Sequence, residues 1–275
     1  MNYSKSTIKV LANLIAGLSL LHFSDNVTAE NNKYSRAEQL VNHPARLKLD
    51  LTRDASRNPV EVLTFYDIRP GMKVLDVFAG GGYYTELFSY AVGSTGKVVA
   101  HNNQAYVDYV NDTLSKRFQP DRLNNVERLV KEANEIELAA NSFDMAFLIL
   151  AFHDIYYRPK KGGWPKIDRK DFLNRIYVGL KPGGVLGVID HHAKSGSPET
   201  TGDTLHRIDV DLVIAQLREA GFILKERAYF LENEQDDLSK HMYAPDTRGK
   251  TSRFVLKFIK PLEIDQQLVE ERNFP

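Results

Sequence analysis

Histidine and aspartate stand side by side at His153-Asp154 and again at Asp190-His191, and His206 follows downstream beside Arg207 and Asp209. Histidine titrates near neutrality, so it can take a proton from a substrate at working pH. A neighbouring carboxylate, Asp154 or Asp190, can orient its ring. Five of the eight histidines, His101, His153, His191, His192 and His206, fall near the expected strand ends. Any one of them alone reads as a helix cap or a surface residue; the set carries the weight. The same side chains, with no cysteine in the chain, are also ligand types for a divalent metal. No His-x-x-x-His or His-Glu-x-x-His pair occurs, however, and His191 and His192 point to opposite faces if their strand continues. No metal site is assigned from spacing.

A second chemical feature lies at Lys73–Thr85, KVLDVFAGGGYYT. Val74, Leu75 and Val77 form a β-prone apolar run around Asp76. An acid there is costly unless it is paired or used. Ala79 leads into Gly80, Gly81 and Gly82, and residues 83–92 have a helical pattern. Glycine allows positive φ and close approach of a ligand to the backbone. The helix start beyond offers unpaired N–H groups to a polar or anionic group.

The elements that position these residues alternate. Strands are expected at 73–77, 97–101, 126–130, 143–151 and 185–189, and helices at 83–92, 104–118, 168–180 and 210–220. The run FDMAFLILA is continuously apolar, as a strand buried on both faces should be. Lys181-Pro182-Gly183-Gly184 stops one helix and Gly221 another. Residues 222–230 and 253–260 are two closing strands with no helical pattern between them, which lets them pair antiparallel. Strands alternating with helices argue a doubly wound α/β sheet. In such a sheet ligands bind beyond the carboxyl ends of the strands, where the histidines lie.

The chain has 275 residues, with 36 basic and 36 acidic side chains. The balance gives no electrostatic case for nucleic acid. The N-terminus has Lys5 and Lys9, then the apolar run Val10–Leu21, then Val27-Thr28-Ala29. That is the order of a secretory signal peptide, and the run is short for a membrane span. The expectation is cleavage after Ala29 and a periplasmic or secreted product with no stable membrane anchor. The expected organisation is a signal peptide at 1–29, a helical flap at 30–70, an α/β domain at 71–262 and a tail at 263–275. In the flap, Arg53 and Arg57 are a solvated face, or they close over a carboxylate or phosphate.

From about Val60 to Lys260 the chain resembles the class I S-adenosylmethionine-dependent methyltransferases. LDVFAGGGYYT sits where that superfamily has its acid and glycine-rich loop. FDMAFLILAFHD resembles its fourth strand, and LKPGGVLGVID its turn and fifth strand. AGGGYYTE, TLHRID and RGKTSRFVLKF resemble a group of exported bacterial predicted methyltransferases. The resemblance implies a Rossmann-like seven-stranded sheet with the last strand antiparallel, inserted between the fifth and sixth. It implies S-adenosylmethionine held by Asp76, Ala79, Gly80, Gly81 and Gly82, with Asn102 at the ribose and Glu132 and Ala133 near the adenine. Phe78 departs from the pattern, standing at the first glycine position, and Asn102 stands where the family has a ribose-binding acid. On the acceptor side the candidates are His153, Asp154, His191 and His206, with His153 first choice as base. Tyr156, Tyr157 and Trp164 would form an aromatic wall, and His206 with Arg207 would anchor a small-molecule acceptor. The alternative is an exported methyltransferase-like protein without transferase activity, a ligand binder or a metal-assisted hydrolase.

Overall fold

The computed structural model describes residues 28–262, apart from Gly162. The apolar leader run and the tail expected at 263–275 lie outside the described residues. No helix among the described residues is long and apolar enough to cross a membrane.

Seven strands form one sheet: β1 (Lys73–Val77), β2 (Lys97–Asn102), β3 (Val126–Val130), β4 (Phe143–Ile149), β5 (Leu180–His191), β6 (Ile223–Ala228) and β7 (Arg253–Ile259). Their order is β3-β2-β1-β4-β5-β7-β6. The first five are parallel, and β7 pairs antiparallel with both β5 and β6. The expected sheet, including the inserted last strand, is the observed one.

Two layers cover it. Residues 28–41 (α1), Pro59–Tyr66 (α3) and Tyr83–Val92 (α4) pack on one face, while Arg169–Gly179 (α6) and Val210–Glu219 (α8) pack on the other. The central strands are apolar throughout because alternate side chains enter different cores. In β4, Met145 and Phe147 join the α4 side, and Ala146 and Leu148 the α6 side. Phe147 stacks on Phe88 with ring centroids 4.4 Å apart. Gly187 makes that possible, since a Cβ there would come within 2.5 Å of the Phe147 ring.

The segment 180–184 differs from expectation. The helix does end at Gly179, but β5 begins at once, with Leu180 paired to Phe143. Gly183 takes φ +76, and the register shifts before Met145 pairs with Val185. Lys181–Gly184 is therefore an irregular lead into the strand.

The flap is tied to the sheet. Lys48–Arg57 (α2) presents Asp50, 1 % exposed, to Arg117 of Gln104–Arg117 (α5), and Tyr66 Oη donates to the Leu256 carbonyl at 2.9 Å. Arg253 of β7 donates back to the Ser56 carbonyl.

Candidate active site

The loop after β1 turns sharply. Phe78 sits at φ +52, Gly80 at φ +55 and Gly82 at φ +78. The Phe78 ring is buried between His101, Tyr106, Trp164 and Phe172, with centroids 5.1–5.6 Å away. The backbone at the first glycine position thus keeps a glycine-like conformation while its side chain fills the core. Arg117 supports the loop from behind, donating to the Gly81 carbonyl at 2.5 Å. A Cβ on Gly82 would lie 2.7 Å from Arg117 Cδ.

A cavity of about 540 Å³ opens over this loop. Asp76, Ala79, Gly80 and Gly81 line it, with Arg53 and Arg57 from α2 and His191, Thr251 and Arg253 from the far side. Burial raises the Asp76 carboxyl to about 7, against the opposing pull of the Thr85 hydroxyl, which donates to it at 2.6 Å, and of Arg57 and Arg117. Burial, reinforced by Arg57, lowers Arg53 to about 10. Arg57 lies over the Tyr83 ring, 4.7 Å from its centroid. Guanidinium groups converging on one side suit a carboxylate. His191 is 4 % exposed; its Nδ1 shares a hydrogen bond with Thr251 Oγ1 at 2.7 Å, and its Nε2 has no partner. Burial, with the charges of His153 and Arg253, holds this imidazole well below its usual pKa. A buried polar atom left unpaired beside a cavity points to a ligand there.

Four of the residues expected at the cofactor do not line this cavity. Gly82 is pressed against Arg117 as the cap of α4. Asn102 spends both ends of its amide on the loop, accepting from Gly80 N at 2.8 Å and donating to Gly80 O at 3.0 Å. Glu132 accepts from the Gln104 amide, and Ala133 is buried in the core. Asn102 therefore shapes the loop with the groups expected at a ribose.

A second cavity, of about 310 Å³, adjoins the first; Tyr106, Tyr109, Leu150, Met242 and Tyr243 line both. Its floor is His153, Asp154 and His206, and its aromatic wall is Tyr157, Trp164 and Tyr243. The short 3₁₀ turn His153–Tyr156 carries the first two straight off β4. His206 caps Thr201–Leu205 (α7) at φ +49, which turns its ring inward. Asp190, fully buried, accepts from His153 Nδ1 at 2.7 Å and from the amides of His153 and His191. His153 Nε2 meets His206 Nδ1 at 3.1 Å. Tyr106 Oη donates to Asp154 Oδ2 at 2.5 Å.

Burial lowers the His153 pKa, but the charges of Asp190 and Asp154 outweigh it and raise it to about 9. His153 is then charged at neutrality with both nitrogens engaged, whereas His206 Nε2 makes no hydrogen bond among the described residues. His191 faces the larger cavity, its ring 5.8 Å from that of His153. Tyr156 is buried in the core and does not line this cavity. Arg207 is fully buried, paired with Asp236 at 2.8 Å and bonded to the His192 and Lys240 carbonyls, so it holds the 229–252 loop instead of facing an acceptor. The contributions of Tyr106, Tyr109, Met242 and Tyr243 were not read from the sequence; the first two fall within the helix expected at 104–118.

The sequence matches the family described as "Methyltransferase domain" over residues 75–188. A solved SAM dependent methyltransferase from Aquifex aeolicus is 25% identical, with a TM-score of 0.53, covering 82% of this chain and 98% of that one. These likenesses support the class I S-adenosylmethionine-dependent methyltransferase superfamily for this chain. Curated relatives include the ubiquinone/menaquinone biosynthesis C-methyltransferase of Ectopseudomonas mendocina, 26% identical over 64% of this chain and 66% of that protein. The same-named enzyme of Hydrogenovibrio crunogenus is 32% identical over 45% of this chain and 43% of its own. The matched region spans less than two thirds of the length of either relative. The superfamily's cofactor is S-adenosylmethionine. The residues of the larger cavity fit its amino-acid arm, with an acid for the ammonium and arginines for the carboxylate.

Proposed function

We propose that this protein transfers a methyl group from S-adenosylmethionine to a small, flat molecule. One observation carries the reading: the glycine-loop cavity and the aromatic cavity share a wall at Leu150, Tyr106 and Tyr243, beyond the carboxyl ends of β1 and β4. The cofactor, when bound, supplies an electrophilic methyl. Asp76, Arg57 and Arg253 hold its amino-acid arm, and Gly80 and Gly81 admit it close to the backbone.

The protein's own part is positioning and proton handling. Tyr157, Trp164 and Tyr243 offer ring faces to a flat acceptor and exclude water. His206 Nε2 is the open nitrogen of an Asp190–His153–His206 chain. In the form in which His153 is neutral, with its one proton on Nδ1 toward Asp190, His153 Nε2 accepts from His206 Nδ1 and leaves His206 Nε2 unprotonated to take the acceptor's proton, so His153 orients the base from behind. The curated relatives act, by their names, as C-methyltransferases of quinone biosynthesis, which supports a small aromatic acceptor. The leader pattern of residues 1–29 makes export part of the proposal; protein recovered from its native host should begin near Glu30, and an intact Met1 on mature protein refutes export.

Titration calorimetry with S-adenosylmethionine and its demethylated product tests the cofactor reading. Binding of both is expected, abolished in Gly80→Val and strongly weakened in Asp76→Ala. A folded wild type that binds neither at millimolar concentration refutes it.

A further inference from the structure

We propose that His153, Asp154 and His206 form a binding site for a divalent first-row transition metal, with its open coordination face toward the aromatic cavity. Three observations bear on this independently. The first is spacing. His153 Nε2 and His206 Nδ1 lie 3.1 Å apart, His153 Nε2 and Asp154 Oδ1 3.4 Å, and His206 Nδ1 and Asp154 Oδ1 3.5 Å. Ligands at zinc–nitrogen and zinc–oxygen bond lengths around a tetrahedral ion stand about 3.3 Å apart. The three atoms therefore form one face of such a tetrahedron before any ion is added, and no other group among the described residues offers such a cluster.

The second is the support behind each ligand. His153 Nδ1 donates to Asp190, so an ion that displaces the second ring proton meets Nε2 forward, in the tautomer that Asp190 favours. Asp190 is itself held by two backbone amides. Asp154 Oδ2 accepts from Tyr106, leaving Oδ1 forward. A carboxylate behind a ligating histidine and a hydroxyl behind a ligating carboxylate are the outer-shell partners of metal sites. The third is the backbone at His206. Its positive φ, +49, is the turn at the end of α7 that brings the third ligand atom, from a separate segment, within 3.5 Å of the other two.

Two nitrogens and one carboxylate oxygen select zinc, iron(II) or cobalt(II) over magnesium or calcium, which take oxygen ligands. The remaining position opens into the 310 Å³ cavity. An oxygen donor bound there, a hydroxyl or enol of the acceptor, would lose its proton more readily beside the cation. This goes beyond the methyl-transfer reading and does not depend on it, since none of the three ligands lines the cavity over the glycine loop.

The test uses untagged protein stripped with a chelator, dialysed, and titrated with Zn²⁺ against a chromogenic chelator. One tight site per chain is expected. His206→Asn, which keeps a residue tolerant of positive φ, and Asp154→Asn should each weaken it by more than about 100-fold, and Tyr106→Phe by about 10- to 100-fold, the scale of an outer-shell loss. His43→Ala, whose ring stacks on Tyr90 of α4 and lines neither cavity, should leave it unchanged. Cobalt(II) loaded into the wild type should give the strong visible absorption of a four- or five-coordinate ion, a signature that needs no variant to fold. A wild type with no stoichiometric zinc, or zinc held equally by His206→Asn and Asp154→Asn, overturns the proposal. Calorimetry with S-adenosylmethionine on the same stripped protein keeps the two readings apart: cofactor binding without zinc binding removes only the metal, and zinc binding without cofactor binding removes only the transferase.

Discussion

Replacing Arg117 with methionine should show how firmly the glycine loop depends on the flap. Arg117 and Glu86 are fully buried, and Asp50 is 1 % exposed. The guanidinium pairs with Asp50 at 2.8 Å, pairs with Glu86, and donates to Gly81 O at 2.5 Å. Methionine keeps the length of the side chain and removes its charge and donors. Glu86 keeps Arg122 and the Tyr90 hydroxyl, but Asp50 is left with Arg53 at 3.9 Å. Removing one partner of a buried ion pair costs about 3–5 kcal/mol. At roughly 2–4 °C per kcal/mol for a domain of this size, the melting temperature should fall by roughly 6–20 °C. Differential scanning calorimetry reads this directly. Adding Asp50→Asn to Arg117→Met should recover part of the loss, because it removes the stranded carboxylate. A melting temperature within about 2 °C of wild type, or no recovery in the double variant, refutes the account of this network.

Two more expectations follow from the same geometry. Asp76 is raised to about 7 by burial; because the folded state then holds a proton that the unfolded state has released, its contribution to stability falls as pH rises from about 4 to 7. Asp76→Asn should therefore gain melting temperature relative to wild type between pH 5 and pH 8, and a constant difference across that range contradicts the assignment. A Cβ at Gly202 would lie 2.5 Å from the His153 carbonyl, so Gly202→Ala should push α7 from the 3₁₀ turn and cost about 1–3 kcal/mol by overpacking, read as a loss in urea midpoint; an unchanged midpoint would show that the contact yields freely.

Much of the sheet was legible because its central strands are unbroken apolar runs between turn signals, and FDMAFLILA and VLGVI allow little else. The order of β7 came through the resemblance, not through periodicity. The flap was less legible: α2 has no apolar face to read, since its one buried residue is Asp50. The histidines were found as a set, but their division was not. Sequence places His153 and His191 alike at strand ends, and only the fold turns one toward each cavity. Arg207 and Tyr156 looked like pocket residues for the same reason, and burial turned both into supports. Tyr243 and Met242 were hidden because the 229–252 loop has no repeating pattern, and its course is set by Arg207 and Asp236, whose pairing no local signal announces.

Leu150, the residue after β4, sits at φ +58 and lines both cavities. A branched residue in that conformation holds roughly 1–3 kcal/mol of strain. Phe78, beneath the glycine loop, and His206, at the smaller cavity, are likewise non-glycine residues kept in the left-handed region. Glycine or asparagine at Leu150 would relax the chain and enlarge the opening between the two chambers. A lineage selected for heat resistance alone would find that exchange early, whereas one selected for turnover would resist it. Thermostabilised descendants of this protein should thus be sorted by what stands at Leu150 before their melting temperatures are compared.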